Sequence, residues 1–382
     1  MHEAVIVGAA RTAVGKKNGT LSGVRPDDLA ATVLGELVRR VGIDPALVED
    51  VILGCVDQLG EQGMNIARNA ALIGGLPVDV CGTTLDRMCG SGQQAVNFAA
   101  MGVMAGQYDV VIAGGVEHMT RVPMGSNAMG PGEGPFSPKL QQRYELVPQG
   151  LSAEMIAERW GLKREELDEL AARSHERAGA GIAAGHFARE IVPITLPDGT
   201  VFDTDEGVRV PVNREKMASL PPSFKPDGVV TAANSSQISD GAAALMLMSA
   251  TRATALGIRS RARVVATALA GVDPTIMLTG PIPATERVLA KAGLRLSQMD
   301  VIEINEAFAS VVLAWERELH PDMERVNVNG GAIALGHPLG ASGARLMTSL
   351  LHELEHRGGR FGLQTMCIGF GQGIATIIER VD

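Results

Sequence analysis

The hydrophobic and polar positions of the N-terminal third alternate between two patterns. Residues 3–8 and 50–57 are short apolar runs of the kind found in buried strands. Between them, Pro26 and Asp27 begin a segment whose apolar side chains fall at helical spacing: Leu29, Val33, Leu34, Leu37 and Val41. The alternation continues with a helix over 65–73, a strand over 79–85, a helix from Gln93 and a strand over 108–114. This order predicts a series of βαβ units.

The alternation stops between residues 117 and 237. Residues 122–138 are rich in Met, Gly and Pro, residues 163–185 predict a polar helix, and residues 197–228 resemble a long loop. The clustered charges of the helix indicate a solvated face rather than a binding patch. We therefore predict an inserted subdomain.

A second α/β series follows the insertion. Residues 239–249 have the composition of a core helix or strand, and a new series begins at 262–270. Two matching stretches then suggest duplication, because Gly42-Ile43-Asp44 precedes the apolar run at Asp50 as Gly293-Leu294-Arg295 precedes the run at Asp300. A duplicated α/β unit explains both, although so short a match can also arise by chance.

Composition narrows the functional class. The 382 residues are 46% hydrophobic but only 3% aromatic, which favours closely packed α/β layers, and the net charge of -9 argues against a nucleic-acid partner. No apolar run approaches the length of a membrane span, and the chain enters a strand at once without a signal peptide. The four cysteines lack the spacing of a zinc site and the density of a disulfide scaffold. We expect a soluble, cytoplasmic protein without a membrane span.

One cysteine has the setting of a nucleophile. Cys89 lies between an apolar strand and a helix and is followed by Gly90, Ser91 and Gly92, which allow backbone N–H groups to approach a ligand. A free thiol is only a few per cent ionised near pH 7, and a helix N-terminus lowers its pKa by about one unit at most. A partner base is therefore expected, unless Cys89 is only a small buried apolar residue.

Three further stretches carry groups suited to act with such a thiol. Asn305 and Glu306 interrupt an apolar strand, which favours a positioned amide over a turn residue. His337 stands among glycines before a helix from Ser342, and imidazole has a suitable pKa for a base near pH 7. Cys367 ends another apolar strand before glycines, and its place suggests that the two thiols occupy matching positions in the two halves. One thiol as nucleophile and another as acid and base suits carbon–carbon bond chemistry next to a thioester.

Together these stretches resemble the thiolases, which are acyl-CoA C-acyltransferases. Four motifs carry the resemblance in family order: Arg87-Met88-Cys89-Gly90-Ser91-Gly92, Asn305-Glu306-Ala307-Phe308, Gly336-His337-Pro338 and Cys367-x-Gly369. The resemblance implies an α/β fold with two similar βαβαβ halves packed in layers, each with a five-stranded sheet around buried helices, and an inserted loop domain that covers CoA. The expected domains are an N-terminal half over 1–117, completed by about 238–260, an inserted loop domain over 118–237 and a C-terminal half over 261–382.

The resemblance also implies a role for each site residue. Cys89 would accept the acyl group, His337 would be its base, and Cys367 would move the proton at C2 of the acetyl unit. Asn305 would hold a water that stabilises the enolate oxygen together with His337. The N–H groups of Cys89 and Gly369 would form the oxyanion hole.

Other expectations concern the substrates and partners. Ser236 would lie beside the pantetheine of CoA, which is a substrate rather than a cofactor, and no metal is required. The partners implied are acyl-CoA and CoA, a homodimer or homotetramer, and a β-oxidation enzyme, with no nucleic acid.

The sequence departs from the family pattern at three places. Asp86 stands where many relatives have Asn, and Phe370 interrupts the usual triple glycine after the second cysteine. Many short-chain biosynthetic relatives also have a His where this chain has Pro148, directly before Gln149-Gly150. The absent His favours a degradative 3-ketoacyl-CoA thiolase over an acetyl-CoA C-acetyltransferase that forms acetoacetyl-CoA.

Two other functions compete with this one. A decarboxylating ketoacyl synthase would have a second His or an Asn in place of Cys367, so the sequence argues against it. A non-catalytic subunit of a β-oxidation complex would have no need to keep Cys89, Asn305, His337 and Cys367.

Overall fold

The computed structural model describes residues 2–381, so that Met1 and Asp382, at the outer ends of the two predicted halves, lie outside it. The strands are β1 (Ala4–Thr12), β2 (Gly15–Lys16), β3 (Asp50–Gly54), β4 (Cys81–Leu85), β5 (Val110–His118), β6 (Ile191–Val192), β7 (Ile194–Thr195), β8 (Val201–Phe202), β9 (Ser239–Ser249), β10 (Ala262–Gly271), β11 (Val301–Ile304), β12 (Phe361–Ile368) and β13 (Gln372–Arg380). The helices are α1 (Pro26–Val41), α2 (Ile66–Ile73), α3 (Ser91–Ala105), α4 (Pro138–Gln141), α5 (Gln149–Arg159), α6 (Arg164–Ala183), α7 (Arg214–Ala218), α8 (Ala250–Ala255), α9 (Pro281–Ala292), α10 (Ala309–Leu319), α11 (Ala332–Leu335) and α12 (Leu339–Arg357).

The main strands form two sheets that meet edge to edge. Their order is β11-β12-β13-β10-β1-β9-β5-β3-β4, and the junction between β10 and β1 consists of two antiparallel pairs, Val5 with Arg263 and Ile6 with Ala262. In the N-terminal half β3 pairs in parallel with β4 and β5, while β9 pairs antiparallel with β5 and β1. In the C-terminal half β11 and β12 are parallel, and β13 is antiparallel to β12 and β10.

The duplication predicted from the two short matching stretches extends to the topology. Helices α1 and α9 both end at a glycine in the left-handed region, Gly42 and Gly293, and each is followed by a short 3-10 turn and a buried strand. Glycine at this position closes a helix without steric cost because it has no Cβ. By chain order and sheet position β10, β11, β12 and β13 correspond to β1, β3, β5 and β9.

The C-terminal sheet has four strands among the described residues, so the expectation of five strands in each half is wrong for this half. The counterpart of β4 is reduced to one parallel bridge between Ile302 and Val326. Asn327, which comes next, has φ 45° and bonds both main-chain groups of Ile304 through its side chain. A side chain that replaces ladder hydrogen bonds ends the strand after a single residue pair.

Helices α3 and α12 occupy matching places and pack against each other between the two halves. Their apolar faces share a core with the central strands, including Ala95, Val96, Ala344, Met347 and Leu351. Helices α1 and α2 cover the outer face of the N-terminal sheet, and α9 and α10 cover that of the C-terminal sheet. The result is a layered α/β fold, as predicted.

The segment between β5 and β9 contains α4–α7 and the short strands β6–β8. A buried ion-pair network attaches it to the N-terminal half, where Arg11 of β1 bonds Asp205 and Glu190 at 2.6–2.9 Å. On the C-terminal side Glu306 accepts a hydrogen bond of 2.6 Å from Ser174 of α6. Where one domain ends and the next begins within this segment stays a prediction.

Candidate active site

Cys89 lies in the turn between β4 and α3, two residues before the helix begins, and its side chain is almost fully buried. Ser91 Oγ accepts a hydrogen bond from Arg87 N and donates one to Met88 O. Asp86 Oδ1 accepts a hydrogen bond of 2.6 Å from Met88 N, and Met88 itself has φ 47°. These contacts hold the turn that presents Cys89.

Two glycines after Cys89 allow the other loops to approach it. A Cβ at Gly90 would lie 2.5 Å from Ile368 Cδ1, and one at Gly92 would lie 2.6 Å from Gly340 O. Ile368 follows Cys367, and Gly340 comes three residues after His337. Because neither distance leaves room for a side chain, the glycines bring the three loops together around Cys89.

Burial dominates the electrostatics of Cys89. The pKa of its thiol is raised to about 11, mainly by loss of solvent and also by the carboxylates of Glu117 and Asp86. The N–H groups of Gly369 and of Cys89 itself point at the sulfur and lower the pKa, but they do not outweigh burial. The thiol is therefore protonated near pH 7 and requires a base, as the sequence predicted.

His337 lies between α11 and α12 and is buried. Its Nδ1 lies 2.5 Å from Ser342 Oγ, which in turn donates a hydrogen bond to Pro338 O. Because the serine hydrogen is used for the carbonyl, Nδ1 carries the imidazole proton and donates it to Ser342. Nε2 is then the unprotonated nitrogen, whose lone pair can accept a proton.

The pKa of His337 is lowered to about 3, mainly by burial and also by the positive charge of Arg345. The neutral imidazole is thus the resting form. Asn305 Nδ2 donates to Nε2 at 3.3 Å, which orients the ring without protonating it.

Asn305 follows β11, where its N–H donates to Thr365 O of the neighbouring strand. Its Oδ1 is buried without a hydrogen-bond partner among the described residues. Cys367 lies near the end of β12. Burial raises the pKa of its thiol, and the negative charge of a Cys89 thiolate also raises it. The structure therefore pairs Asn305 with His337, and it brings Cys367 and Gly369 to Cys89.

The two cysteines do not occupy matching positions, so that expectation is wrong. Cys89 lies before α3, whose counterpart is α12, and the residue at the matching place is His337. Cys367 ends β12, whose counterpart β5 ends at His118. The loops before α3 and α12 are thus equivalent in the two halves, but one carries a thiol and the other an imidazole.

Ser236 is not among the described residues that line the cavity at Cys89. Its N–H donates to Ala307 O at 2.9 Å, which ties it to the loop after Asn305, and its side chain is half-buried.

A largely apolar cavity of about 850 Å³ opens at Cys89. It lies toward the large end of the range of about 300–1,000 Å³ that is usual for small-molecule sites. Met88, Leu339 and Phe370 form its wall close to the cysteine, and the predicted Met- and Gly-rich segment supplies much of the remainder: Met124, Gly125, Asn127, Ala128, Pro135 and Phe136. Asp57 anchors this segment because its carboxylate accepts hydrogen bonds from the N–H groups of Gly125 and Asn127.

Sequence reasoning did not identify Glu117, which holds the site together from beneath. Its carboxylate accepts hydrogen bonds from the N–H groups of Val56, Asp57 and Gly340 and from Gln62 Nε2. Burial nevertheless raises its pKa to about 7. The available signal was a carboxylate inside the otherwise apolar run that forms β5.

Comparisons with known proteins identify relatives over the whole chain. The family model described as the thiolase N-terminal domain matches residues 4–251, and the family model described as the thiolase C-terminal domain matches residues 258–380. A steroid 3-ketoacyl-CoA thiolase of Mycobacterium tuberculosis is 50% identical over 100% of this chain and 95% of its own. A β-ketoadipyl-CoA thiolase of Escherichia coli is 47% identical, with 100% of both chains covered.

A 3-ketoacyl-CoA thiolase of Erwinia tasmaniensis is 46% identical, again over 100% of both chains. Among solved structures, an acetyl-CoA acetyltransferase of Bacillus anthracis superposes with a TM-score of 0.92. The two are 43% identical, and the match covers 100% of this chain and 99% of the other.

Proposed function

The chain belongs to the thiolase family, and from this premise we propose how its residues carry out the thiolytic cleavage of 3-ketoacyl-CoA. It is an acyltransferase that splits its substrate into acetyl-CoA and a shortened acyl-CoA. The observation that supports the mechanism is the approach of Cys367 and of the Gly369 N–H to Cys89, which lines an apolar cavity, while the start of the helix after His337 packs against Gly92.

Acyl transfer to Cys89 is the first step. His337 Nε2 accepts the thiol proton, and Cys89 Sγ attacks the 3-keto carbon. The N–H groups of Cys89 and Gly369, which already point at the sulfur, stabilise the oxyanion of the resulting intermediate. His337 is suited to this proton transfer because its imidazole is neutral and its Nδ1–H donates to Ser342.

Cleavage of the bond between C2 and C3 then releases acetyl-CoA. Its C2 carbon accepts the proton of Cys367, while His337 and a water bound by Asn305 stabilise the enolate oxygen. The unpartnered, buried Oδ1 of Asn305 supports this role because a buried acceptor favours a water partner.

CoA takes the acyl group in the second half-reaction. The Cys367 thiolate accepts the proton of the CoA thiol, whose sulfur attacks the acyl carbon and displaces Cys89. His337 returns the first proton to Cys89, so every residue regains its starting form. We place the pantetheine arm near Ser236, whose backbone is bonded to Ala307 in the loop that follows Asn305.

The cavity favours medium-length or bulky acyl groups. Met88, Met124 and Leu140 offer an apolar lining, and Pro148 stands where short-chain relatives have a His toward a small acyl pocket. Apolar burial contributes about 25 cal/mol per Å², so a larger acyl group gains more from this cavity than an acetyl group does.

Thiolysis measured with a panel of 3-ketoacyl-CoAs tests this proposal. We expect a higher kcat/KM for medium or bulky substrates than for acetoacetyl-CoA, since the ratio reports differential transition-state binding. The runner-up is an acetyl-CoA C-acetyltransferase, the activity by which the similar Bacillus anthracis protein is named. A clear preference for acetoacetyl-CoA would favour that function instead.

We further propose that two copies associate along β4. This strand ends the sheet, and apolar side chains around it are exposed, including Met64 at 92% and Val78 at 76%. An open strand edge with exposed apolar side chains invites pairing with another chain. A dimer, or a tetramer built from dimers, would cover this surface, whereas a β-oxidation enzyme would bind elsewhere.

We place the protein in the cytoplasm, a reducing compartment. All four cysteines are unpaired in the structure. Among the helices of residues 2–381, none is long and apolar enough to cross a membrane.

A further inference from the structure

The turn after Cys367 contains a bulky residue in a strained conformation. Phe370 has φ 63°, in the left-handed region that glycine tolerates and larger side chains rarely adopt. The chain therefore has a phenylalanine here at a conformational cost. Such strain persists where the surrounding structure imposes it, often at sites of function.

Neighbouring contacts hold Phe370 in place. Its N–H donates to Met277 Sδ at 3.2 Å, and its ring meets the ring of Phe136 edge to face, with centroids 5.1 Å apart. Phe136 is the one half-buried residue in the otherwise exposed segment 131–140. The aromatic contact therefore joins two parts of the chain: the turn beside Gly369, whose N–H is a proposed oxyanion-hole donor, and the segment that lines the cavity.

The aromatic pair stands between two cavities. Phe136 and Phe370 line both the cavity of about 850 Å³ at Cys89 and a neighbouring cavity of about 610 Å³ that Val147 and Met277 help to enclose. Removal of either ring would take away part of the lining that the two cavities share with Tyr144, Leu146 and Gln149.

We propose that Phe370 is a specificity-determining residue, whose ring closes the acyl cavity together with Phe136 and limits the length of acyl chain that fits. This rests on the proposed thiolytic function. The substrate class is then a 3-ketoacyl-CoA whose acyl group is compact and apolar, such as a medium-length, branched or ring-bearing group. Long straight chains would have to pass the aromatic pair into the second cavity.

The test compares thiolysis of 3-ketohexadecanoyl-CoA with that of 3-ketooctanoyl-CoA. In Phe370→Gly we expect the kcat/KM ratio of long to medium substrate to rise at least about tenfold, which is within the range that pocket contacts of this size control. Phe136→Ala should raise the ratio as well, because it opens the same wall without changing the turn beside Gly369.

His320→Gly is a matched control. His320 also has a positive φ, 49°, but it caps α10 at the surface and is not among the described residues that line either cavity. Its replacement should leave the ratio unchanged. Phe370→Leu, which keeps an apolar side chain of some bulk, should give an intermediate ratio.

The proposal is overturned if Phe370→Gly and Phe136→Ala both leave the ratio within about twofold of the parent. It is also overturned if Phe370→Gly slows both substrates equally while Phe136→Ala changes neither, because Phe370 would then only support the turn. Failure of the proposed function would look different, since the parent protein would cleave neither substrate.

Discussion

Cys89 and His337 are both uncharged in the resting protein because burial opposes ionisation of each. The pKa of Cys89 is raised to about 11 and that of His337 is lowered to about 3, so an ion pair does not form before substrate arrives. Ser342 and Asn305 orient the imidazole of His337. The contact with Ser342 keeps the proton on Nδ1, so that Nε2, which contacts Asn305, is the nitrogen that can accept a proton. In the proposed mechanism, attack of Cys89 on the substrate therefore depends on proton transfer from its thiol to His337.

This arrangement predicts how the effect of His337→Ala on the reactivity of Cys89 depends on pH. A pKa raised above its ordinary value keeps Cys89 protonated at neutral pH, and its thiolate fraction rises about tenfold per pH unit until about pH 11. Alkylation of Cys89 by iodoacetamide in His337→Ala should therefore lag the parent by at least about 100-fold at pH 7 and by much less at pH 10. Mass spectrometry of the alkylated peptide measures both rates. A deficit that stays constant over this range would mean that His337 does not act as the base.

The second thiol should be separable from the first. In Cys367→Ala we expect acylation of Cys89 to remain largely intact, while exchange of the C2 protons of acetyl-CoA with solvent is blocked. The physical reason is that the two thiols serve different steps. Exchange is followed by NMR in deuterated buffer, and exchange at the parent rate would move the acid–base role to another group.

The principal site residues could be proposed from sequence because each stands in a short local pattern, such as Cys89 before Gly90 and His337 before Pro338. Glu117 and Ser342 could not be singled out in this way. The four donors to Glu117 come from the segment between β3 and α2 and from the first turn of α12, which only the folded chain brings together. The raised pKa of Cys89 likewise follows from tertiary burial rather than from its position before a helix.

At the scale of elements, the site depends on the close crossing of α3 and α12. A Cβ at Gly343 would lie 2.1 Å from Gln93 N, and one at Gly92 would lie 2.6 Å from Gly340 O. These are contacts between backbones, which cannot give way as a flexible side chain does. The separation of the two helices thus determines how closely the loops of Cys89 and His337 approach.

Gly343→Ala should therefore destabilise the protein by about 3 kcal/mol and reduce acyl transfer, because the added methyl group pushes the helices apart. Denaturant unfolding measures the stability change. Gly181→Ala in α6 is a suitable control, since the atoms near its Cβ, at 3.3 Å, belong to the side chains of Asn329 and Phe187. An equal effect of the two substitutions would argue against the crossing as the sensitive feature.

Most elements of the two βα series were predictable because periodicity and turn residues agreed. The predicted helix over 27–41 corresponds to α1, and the uncertain segment 239–249 proved to be the strand β9, buried along its whole length. A continuous apolar run cannot distinguish a buried strand from a buried helix. The missing fifth strand of the C-terminal half depends on Asn327, whose side chain makes contacts that no sequence periodicity reveals.

At the scale of the whole molecule, duplication creates one site from two unequal halves. In the proposed mechanism the N-terminal half supplies the nucleophile, and the C-terminal half supplies the base, the amide and the second thiol. Ion pairs and hydrogen bonds from the intervening segment to Arg11 and Glu306 attach it to both. The exposed edge at β4 is the surface on which this unit can associate.

A double substitution, Ile73→Glu with Val78→Glu, tests that association. Both side chains are exposed, at 52% and 76%, and a pair of carboxylates at a buried interface carries a large desolvation cost. We expect the parent to have at least twice the chain mass in light scattering and the variant to dissociate toward monomers. Val201→Glu, at another exposed apolar position, should leave the mass unchanged. A monomeric parent would contradict the proposed interface.

The most direct test of the central claim is the identity of the acylated residue. The purified protein is incubated with an acyl-CoA, quenched in acid and analysed by peptide mass spectrometry. The proposed mechanism predicts an acyl group on Cys89, and Cys89→Ser should lose turnover by orders of magnitude because a hydroxyl is far harder to ionise than a thiol. An acyl group on Cys55 or Cys81, with Cys89 unmodified, would contradict it.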